Sequence, residues 1–289
     1  MINLWYEESY WSHTGGRVSG PERVVKNTIE ALKEESIDFS INENKYSFNF
    51  LIQYQHEIAH KKHAQLEHNT CVIGPQFWPF DSYGKFLIEN PNYYNKIIAP
   101  SRWVKDLFVN KLLLPSNKVG VWAAPIKAPD ISEKQSIDCL IYYKNRPIEH
   151  LEKVKSFLST KGFTYLELNY GNYNQNDFKD ALAKVRFCII IDNTESQGIA
   201  IQEMMAVGKP LLVWDVKEWD YMGDDYKVFA SSVPYWSDTC GEKFYYEDEF
   251  EFAFQKFYDR IDRYNSRGLF NSQLSYKVSM KNLLNLFGE

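Results

Sequence analysis

Two glutamates stand eight residues apart in the stretch from Asp192 to Asp215, DNTESQGIAIQEMMAVGKPLLVWD. Glu195 falls in a polar turn and Glu203 about two helical turns further on, a spacing that lets both carboxylates point at one cleft. The plainer alternative has Glu195 complementing a helix dipole and Glu203 solvated on the surface. Lys144 and Arg146 follow directly on the apolar run Ile137–Tyr143. Cations at a strand end can neutralise a diphosphate, Arg146 through paired hydrogen bonds and Lys144 as a point charge; a solvated basic loop is the other reading. Gly15-Gly16 precedes a helix start, where backbone amides can receive an anion or simply make a turn. The segment His56-Glu57-Ile58-Ala59-His60 matches H-E-x-x-H, a pattern that on a helix can hold zinc with the glutamate as general base. A third ligand is missing: His63 and Leu66 stand where a metzincin extension needs glycine and histidine, and Lys61 and Lys62 place positive charge beside the cation. The match is read as chance, and no metal is expected. His56 stays a candidate on other grounds, because it follows a strand of the first domain on the edge where open α/β sheets bind ligands.

The surrounding pattern supplies elements able to position these groups. Phe187–Ile191 and Leu211–Trp214 are apolar runs that flank a helix ended by Gly208 and Pro210, the outline of a βαβ unit. Ile2–Tyr6 reads as a strand, and Ser19 with Glu22 and Pro21 reads as a capping box opening a helix whose buried face is Val24, Val25, Thr28, Ile29 and Leu32. Phe48–Tyr54 and Tyr94–Pro100 are further apolar stretches, and Ser101 is placed to cap the helix that follows. The proline-bearing stretch Pro125–Ser136 is the best linker. Beyond it come strand Ile137–Tyr143, helix Glu149–Lys161, strand Phe163–Asn169 and helix Asp177–Lys184. The loop Tyr170–Tyr173, with Gly171 and Tyr173, ends at the same edge and is placed to contact a base. Glu249–Tyr264 reads as one amphipathic helix and Ser272–Phe287 as another. Strands alternating with helices predict an α/β fold.

Composition narrows the function classes. A chain of 289 residues can bury two ordinary cores, and a formal charge of −5 argues against general nucleic-acid binding. Cys71, Cys139, Cys188 and Cys240 are far apart and sit mostly in apolar runs, the pattern of reduced structural thiols and a cytoplasmic setting. No apolar run approaches the roughly 20 residues of a membrane span, and the amino terminus lacks a signal-peptide pattern.

Glu195-Ser196-Gln197-Gly198-Ile199 through Glu203, then Ala206, Gly208 and Pro210, resembles the E-x7-E signature of retaining nucleotide-sugar glycosyltransferases of the GT-B fold, in particular the large fourth family. The resemblance implies two Rossmann-like α/β domains facing across a cleft: residues 1–127 on the acceptor side, 137–265 binding the donor, and a terminal helix in 266–289 crossing back. It assigns Glu195 to hydroxyls of the donor sugar, the Gly198 backbone to the donor and Glu203 to the ribose diol. Ser196, Gln197 and Ile199 belong to the same donor-binding turn. GGRVSGPERVVKNTIEAL resembles the family's glycine loop and first helix, which puts Gly15 and Gly16 against the diphosphate, and Lys144 and Arg146 correspond to its phosphate-binding cations. Where the family often carries a catalytic histidine, the stretch from Thr70 to Trp78 has Gln76, which leaves His56, His13 or no histidine for that part. The implied reaction moves a sugar from a nucleoside diphosphate sugar to a hydroxyl of a glycan, glycoconjugate or small-molecule acceptor, with retention and without metal or further cofactor. A nucleotide-sugar-binding protein without turnover is the alternative, motivated by the missing histidine and the short first domain.

Overall fold

A computed structural model describes residues 1–8, 19–43, 48–53, 70–132 and 135–288. Gly15, Gly16, His13 and the HEIAH segment with His56 lie outside the described residues.

Six strands form the first sheet: β1 (Ile2–Trp5), β2 (Phe39–Ile41), β3 (Phe48–Gln53), β4 (Thr70–Gln76), β5 (Lys96–Ala99) and β6 (Val119–Val121). They run parallel in the order β2-β1-β3-β4-β5-β6. Parallel strands need crossovers and end up covered on both faces, which is why their sequences read as nearly unbroken apolar runs. Alternation along β3 separates the two cores. Phe50 and Ile52 face Val24, Val25 and Leu32 of α1 (Gly20–Glu34), whereas Leu51 faces the opposite layer of α2 (Ser82–Glu89) and α3 (Arg102–Asn110).

The second sheet holds β7 (Ile137–Tyr143), β8 (Tyr165–Asn169), β9 (Val185–Ile191), β10 (Leu211–Trp214) and β13 (Gly241–Phe244), parallel in the order β13-β10-β9-β7-β8. On one face α5 (Gln175–Lys184) and α6 (Ile199–Ala206) cover Leu140, Cys188, Ile190 and Val213. On the other, α4 (Ile148–Lys161) and α7 (Phe250–Asp259) cover Ile141, Ile189 and Leu212. A short antiparallel pair, β11 (Glu218–Trp219) with β12 (Val228–Phe229), packs onto the first domain's core through Trp219 and Val228.

The chain ends in α8 (Ser266–Gln273) and α9 (Tyr276–Phe287). Tyr276, Met280 and Leu283 of α9 are buried in the first domain's core with Ile2, Leu4 and Phe50, and the Trp122 indole donates to the Ser279 carbonyl at 2.9 Å.

Several local details differ from the sequence pattern. The helix expected over Glu249–Tyr264 ends at Asp259 and gives way to a 3-10 turn, Ile261–Arg263. The expected tail helix is two helices, broken where Leu274 leaves helical geometry and Ser275 is extended at an N-cap, a position serine favours. Ser19 accepts from the Glu22 amide as a capping residue should, but the Glu22 carboxylate pairs with Lys26 instead of completing a box.

Candidate active site

In each sheet the strand order reverses once, and at such a switch point loops part on either side to leave a crevice at the carboxyl ends. The reversal in the second sheet lies between β7 and β9, so the loops beginning at Lys144 and Asp192 open on that crevice. In the first sheet it lies between β1 and β3, and the chain leaving β1 leads to the N-terminus of α1. The two carboxyl edges enclose a cleft of about 740 Å³ whose walls include Gly20, Arg23, Gln76 and Trp103 from one domain and Lys144, Tyr173, Glu195 and Gly198 from the other.

Glu195 is gripped from three sides. Its carboxylate forms an ion pair with Lys144, its amide donates to the Ser231 carbonyl at 3.1 Å, and its carbonyl accepts from the Trp103 indole of the first domain at 2.8 Å. Behind the pair lies Asp192, fully buried, with one oxygen taking the Asn193 amide at 2.7 Å and the other without a donor among the described residues. The Glu195 carboxylate also lies close to Asp192, so two acids share this corner of the site. Burial, then the neighbouring Glu195, pushes the Asp192 carboxyl well above the usual carboxylate range, against the pull of Lys144. Burial alone lowers the Lys144 ammonium; Glu195 and Asp192 outweigh it and hold Lys144 above the ordinary lysine value.

Glu203 occupies no solvated surface. Residues Ile201 to Ala206 are all buried, and Glu203 is 4% exposed. One carboxylate oxygen pairs with Arg23, reaching across from α1, and also accepts from the Gln175 amide at 3.3 Å; the other is buried with no donor among the described residues. Burial lifts its carboxyl above the usual range and Arg23 opposes that lift. Arg23 and Gln175 stand in the cleft wall, with Glu203 immediately behind them.

Gly198 adopts φ 79°, a left-handed conformation that glycine takes without the Cβ penalty, and it starts α6 with no side chain capping the first amides. Those amides, at the cleft wall beside Ser196 and Ile199, form a helix N-terminus suited to an anion. The Gln197 side chain is consumed in positioning the turn: it donates to the Ala124 carbonyl at 2.8 Å and accepts the Ala124 amide at 3.1 Å. Gln76, at the end of β4, lines the opposite wall and donates to the Pro21 carbonyl at 2.9 Å. Gly171 and Tyr173 also line the cleft. Arg146 does not: its guanidinium donates to the carbonyls of Trp214 and Asp215, both at 3.0 Å, and so ties the end of β10 to the β7 loop. Gly15, Gly16 and His56 cannot be placed, as they fall outside the described residues. Sequence reasoning missed Arg23, Asp192 and Trp103. Only Asp192 carried a signal, its position directly after an apolar strand.

No protein-family model matches the sequence, and no curated protein matches it. Solved structures do. The lipopolysaccharide outer core galactosyltransferase WaaB, in apo form, matches with a TM-score of 0.57 at 11% identity over 99% of this chain and 98% of its own. A glycosyltransferase from Rickettsia africae ESF-5 gives 0.60 at 11% identity over 99% and 97%. A TarM variant from S. aureus, in complex with fondaparinux, alpha-GlcNAc-glycerol and UDP, gives 0.54 at 13% identity over 91% of this chain and 58% of that one. At such identities the likeness speaks for architecture, and with the parallel sheets and the cleft between them it establishes that this chain has the GT-B fold, two Rossmann-like α/β domains facing each other.

Proposed function

We propose that the protein is a cytoplasmic glycosyltransferase that moves a sugar from a nucleoside diphosphate sugar to an acceptor hydroxyl, with retention and without a metal ion. The observation that carries this reading is the pairing of each E-x7-E acid with a cation of the cleft wall, Glu195 with Lys144 and Glu203 with Arg23, on either side of the uncapped N-terminus of α6. A nucleotide brings the complement of that arrangement: negative phosphates for amides and cations, and hydroxyls for the carboxylates. On this reading the diphosphate lies against the Gly198–Ala200 amides and Lys144, which stabilise the charge that develops on the leaving group. Glu195 takes hydroxyls of the transferred sugar, Glu203 takes the ribose diol, and Gly171 and Tyr173 flank the base. Ser196, Gln197 and Ile199 hold the turn in register.

Gln76 faces the sugar from the first domain, residues 1–127, which presents the acceptor; residues 137–265 hold the donor. Gly15 and Gly16 keep the role that resemblance gives them, at the diphosphate, and the catalytic part of a histidine is left to His56, His13 or none. Arg146, fastened to backbone carbonyls, acts on the shape of the β7 loop rather than on phosphate. The TarM complex contains UDP, the same class of ligand. No helix among the described residues is long and apolar enough to cross a membrane, and the four cysteines are buried and free.

Incubation with UDP, GDP, ADP and dTDP sugars, followed by assay of nucleoside diphosphate release with and without chelator, tests the proposal. Release that survives chelation, with a product of unchanged anomeric configuration by NMR, is expected. Tight binding without release across the panel replaces this reading with that of a nucleotide-sugar-binding protein.

A further inference from the structure

Among the described residues, the cations that line the cleft are Arg23 and Lys144, and a carboxylate engages each. The Arg23 pair has an unusual balance. Glu203 receives Arg23 and Gln175 on one oxygen while the other, also buried, has no donor among the described residues. The guanidinium, whose side chain is 16% exposed, is at once the cover over that carboxylate and part of the cleft wall. Tyr173 and Tyr276 also face the pair, but neither donates a hydrogen bond to Glu203. A hydroxyl group arriving from the cleft therefore meets Arg23 and Gln175 before it reaches Glu203.

We propose that Arg23 is an exchangeable diphosphate ligand supplied by the first domain: as ribose hydroxyls dock on Glu203, its guanidinium turns from that carboxylate to the phosphates beside it. The proposal rests on the donor-site reading above and extends it to a residue on α1. Exchange is chemically balanced. Glu203 gives up one charged donor and gains hydroxyl donors, one of them for the oxygen that has none, while Arg23 trades a carboxylate for a phosphate that its planar fork fits equally well. Because Arg23 and Glu203 belong to different domains, the trade also couples nucleotide recognition to the contact between them.

The test compares a nucleoside with its own diphosphate, in calorimetric titrations of uridine and UDP, guanosine and GDP, adenosine and ADP, and thymidine and dTDP. The base that binds the unmodified protein is carried forward. Arg23→Gln is expected to weaken the diphosphate at least tenfold while the nucleoside binds as well as before or better, since its site on Glu203 is uncovered. Arg23→Lys, which keeps charge but not the fork, should weaken the diphosphate less and leave the nucleoside unchanged. If thermal melting shows that Arg23→Gln does not fold, the Lys variant alone decides by the same comparison. Equal losses for nucleoside and diphosphate, as a purely structural clasp would give, overturn the proposal, and so does no loss in either. If no nucleotide binds the unmodified protein, the donor-site reading falls and takes this inference with it; binding with the wrong Arg23 pattern removes this inference alone.

Discussion

Glu195 and Glu203 carry the same charge, eight positions apart, yet the molecule sets them different tasks. If Glu203 takes the ribose diol as proposed, Glu203→Ala should weaken binding of a free nucleoside by about 1–3 kcal/mol, the range for a hydrogen bond to a charged group. Glu195→Gln should leave nucleoside diphosphate affinity intact or improved, because Lys144 loses its carboxylate partner, while turnover falls. Calorimetry and a transfer assay on both variants check the division; equal effects on nucleoside affinity would dissolve it. Asp192 offers a separate test at this scale. A carboxyl raised above its unfolded value contributes stability that is present below the ordinary carboxylate range and is lost as pH rises through the raised value. Asp192→Asn should therefore stabilise the protein at neutral pH by about 1–3 kcal/mol, the scale of a buried polar group without a partner. The gain should close as pH falls into the ordinary carboxylate range. Melting curves across pH read the difference directly, and a gain that persisted unchanged in acid would refute the assignment.

Helix α6 is the element on which the site turns, and its N-cap, Gly198, is held in a conformation that side chains resist. Gly198→Ala meets only ordinary contacts, Glu195 Cβ at 3.6 Å and Ile201 Cδ1 at 3.7 Å, so its cost is conformational. A loss of roughly 1–2 kcal/mol is expected, measurable by denaturant titration. The same helix shows where sequence is informative and where it stops. Strands such as Val185–Ile191 announce themselves because both faces are covered, and the Gly208-Lys209-Pro210 stop is chemistry of the chain itself. The α/β class, the motif turn and Lys144 were all legible on those terms. Glu203 was not readable as a buried acid. Burial of α6 from Ile201 to Ala206 leaves no polar face to mark, and the Arg23 partner stands 180 residues away in sequence. Pairings of that kind exist only after both domains have formed. The two-residue strand β11 and the Leu274-Ser275 break were missed for a different reason, being too short to show a period.

At the scale of the whole molecule the two domains share more than a cleft. The Trp103 indole holds the Glu195 turn, the Tyr235 hydroxyl donates to the Pro100 carbonyl at 2.7 Å, and Gln197 is bonded to Ala124. Helix α9 adds the firmest tie, since Leu283 is fully buried among residues of the first domain. Leu283→Ala should cost about 2–5 kcal/mol. Because the tie runs from one end of the chain to the other, unfolding monitored by far-UV and near-UV signals should remain one coincident transition; two separated transitions would show that α9 couples the domains less than its burial implies.

That same helix sets a timetable. A ribosome completes the strands of the first sheet by Val121, and α1 already covers part of the face of Ile2, Leu4 and Phe50, but the rest of that cover arrives only with Tyr276 to Leu283, after the second domain has been made in full. At roughly 5–20 residues per second, that apolar face waits on the order of ten seconds for the rest of its cover. A nascent chain halted just after the second sheet should therefore bind chaperones through its amino-terminal half, although every strand of that half has already been translated.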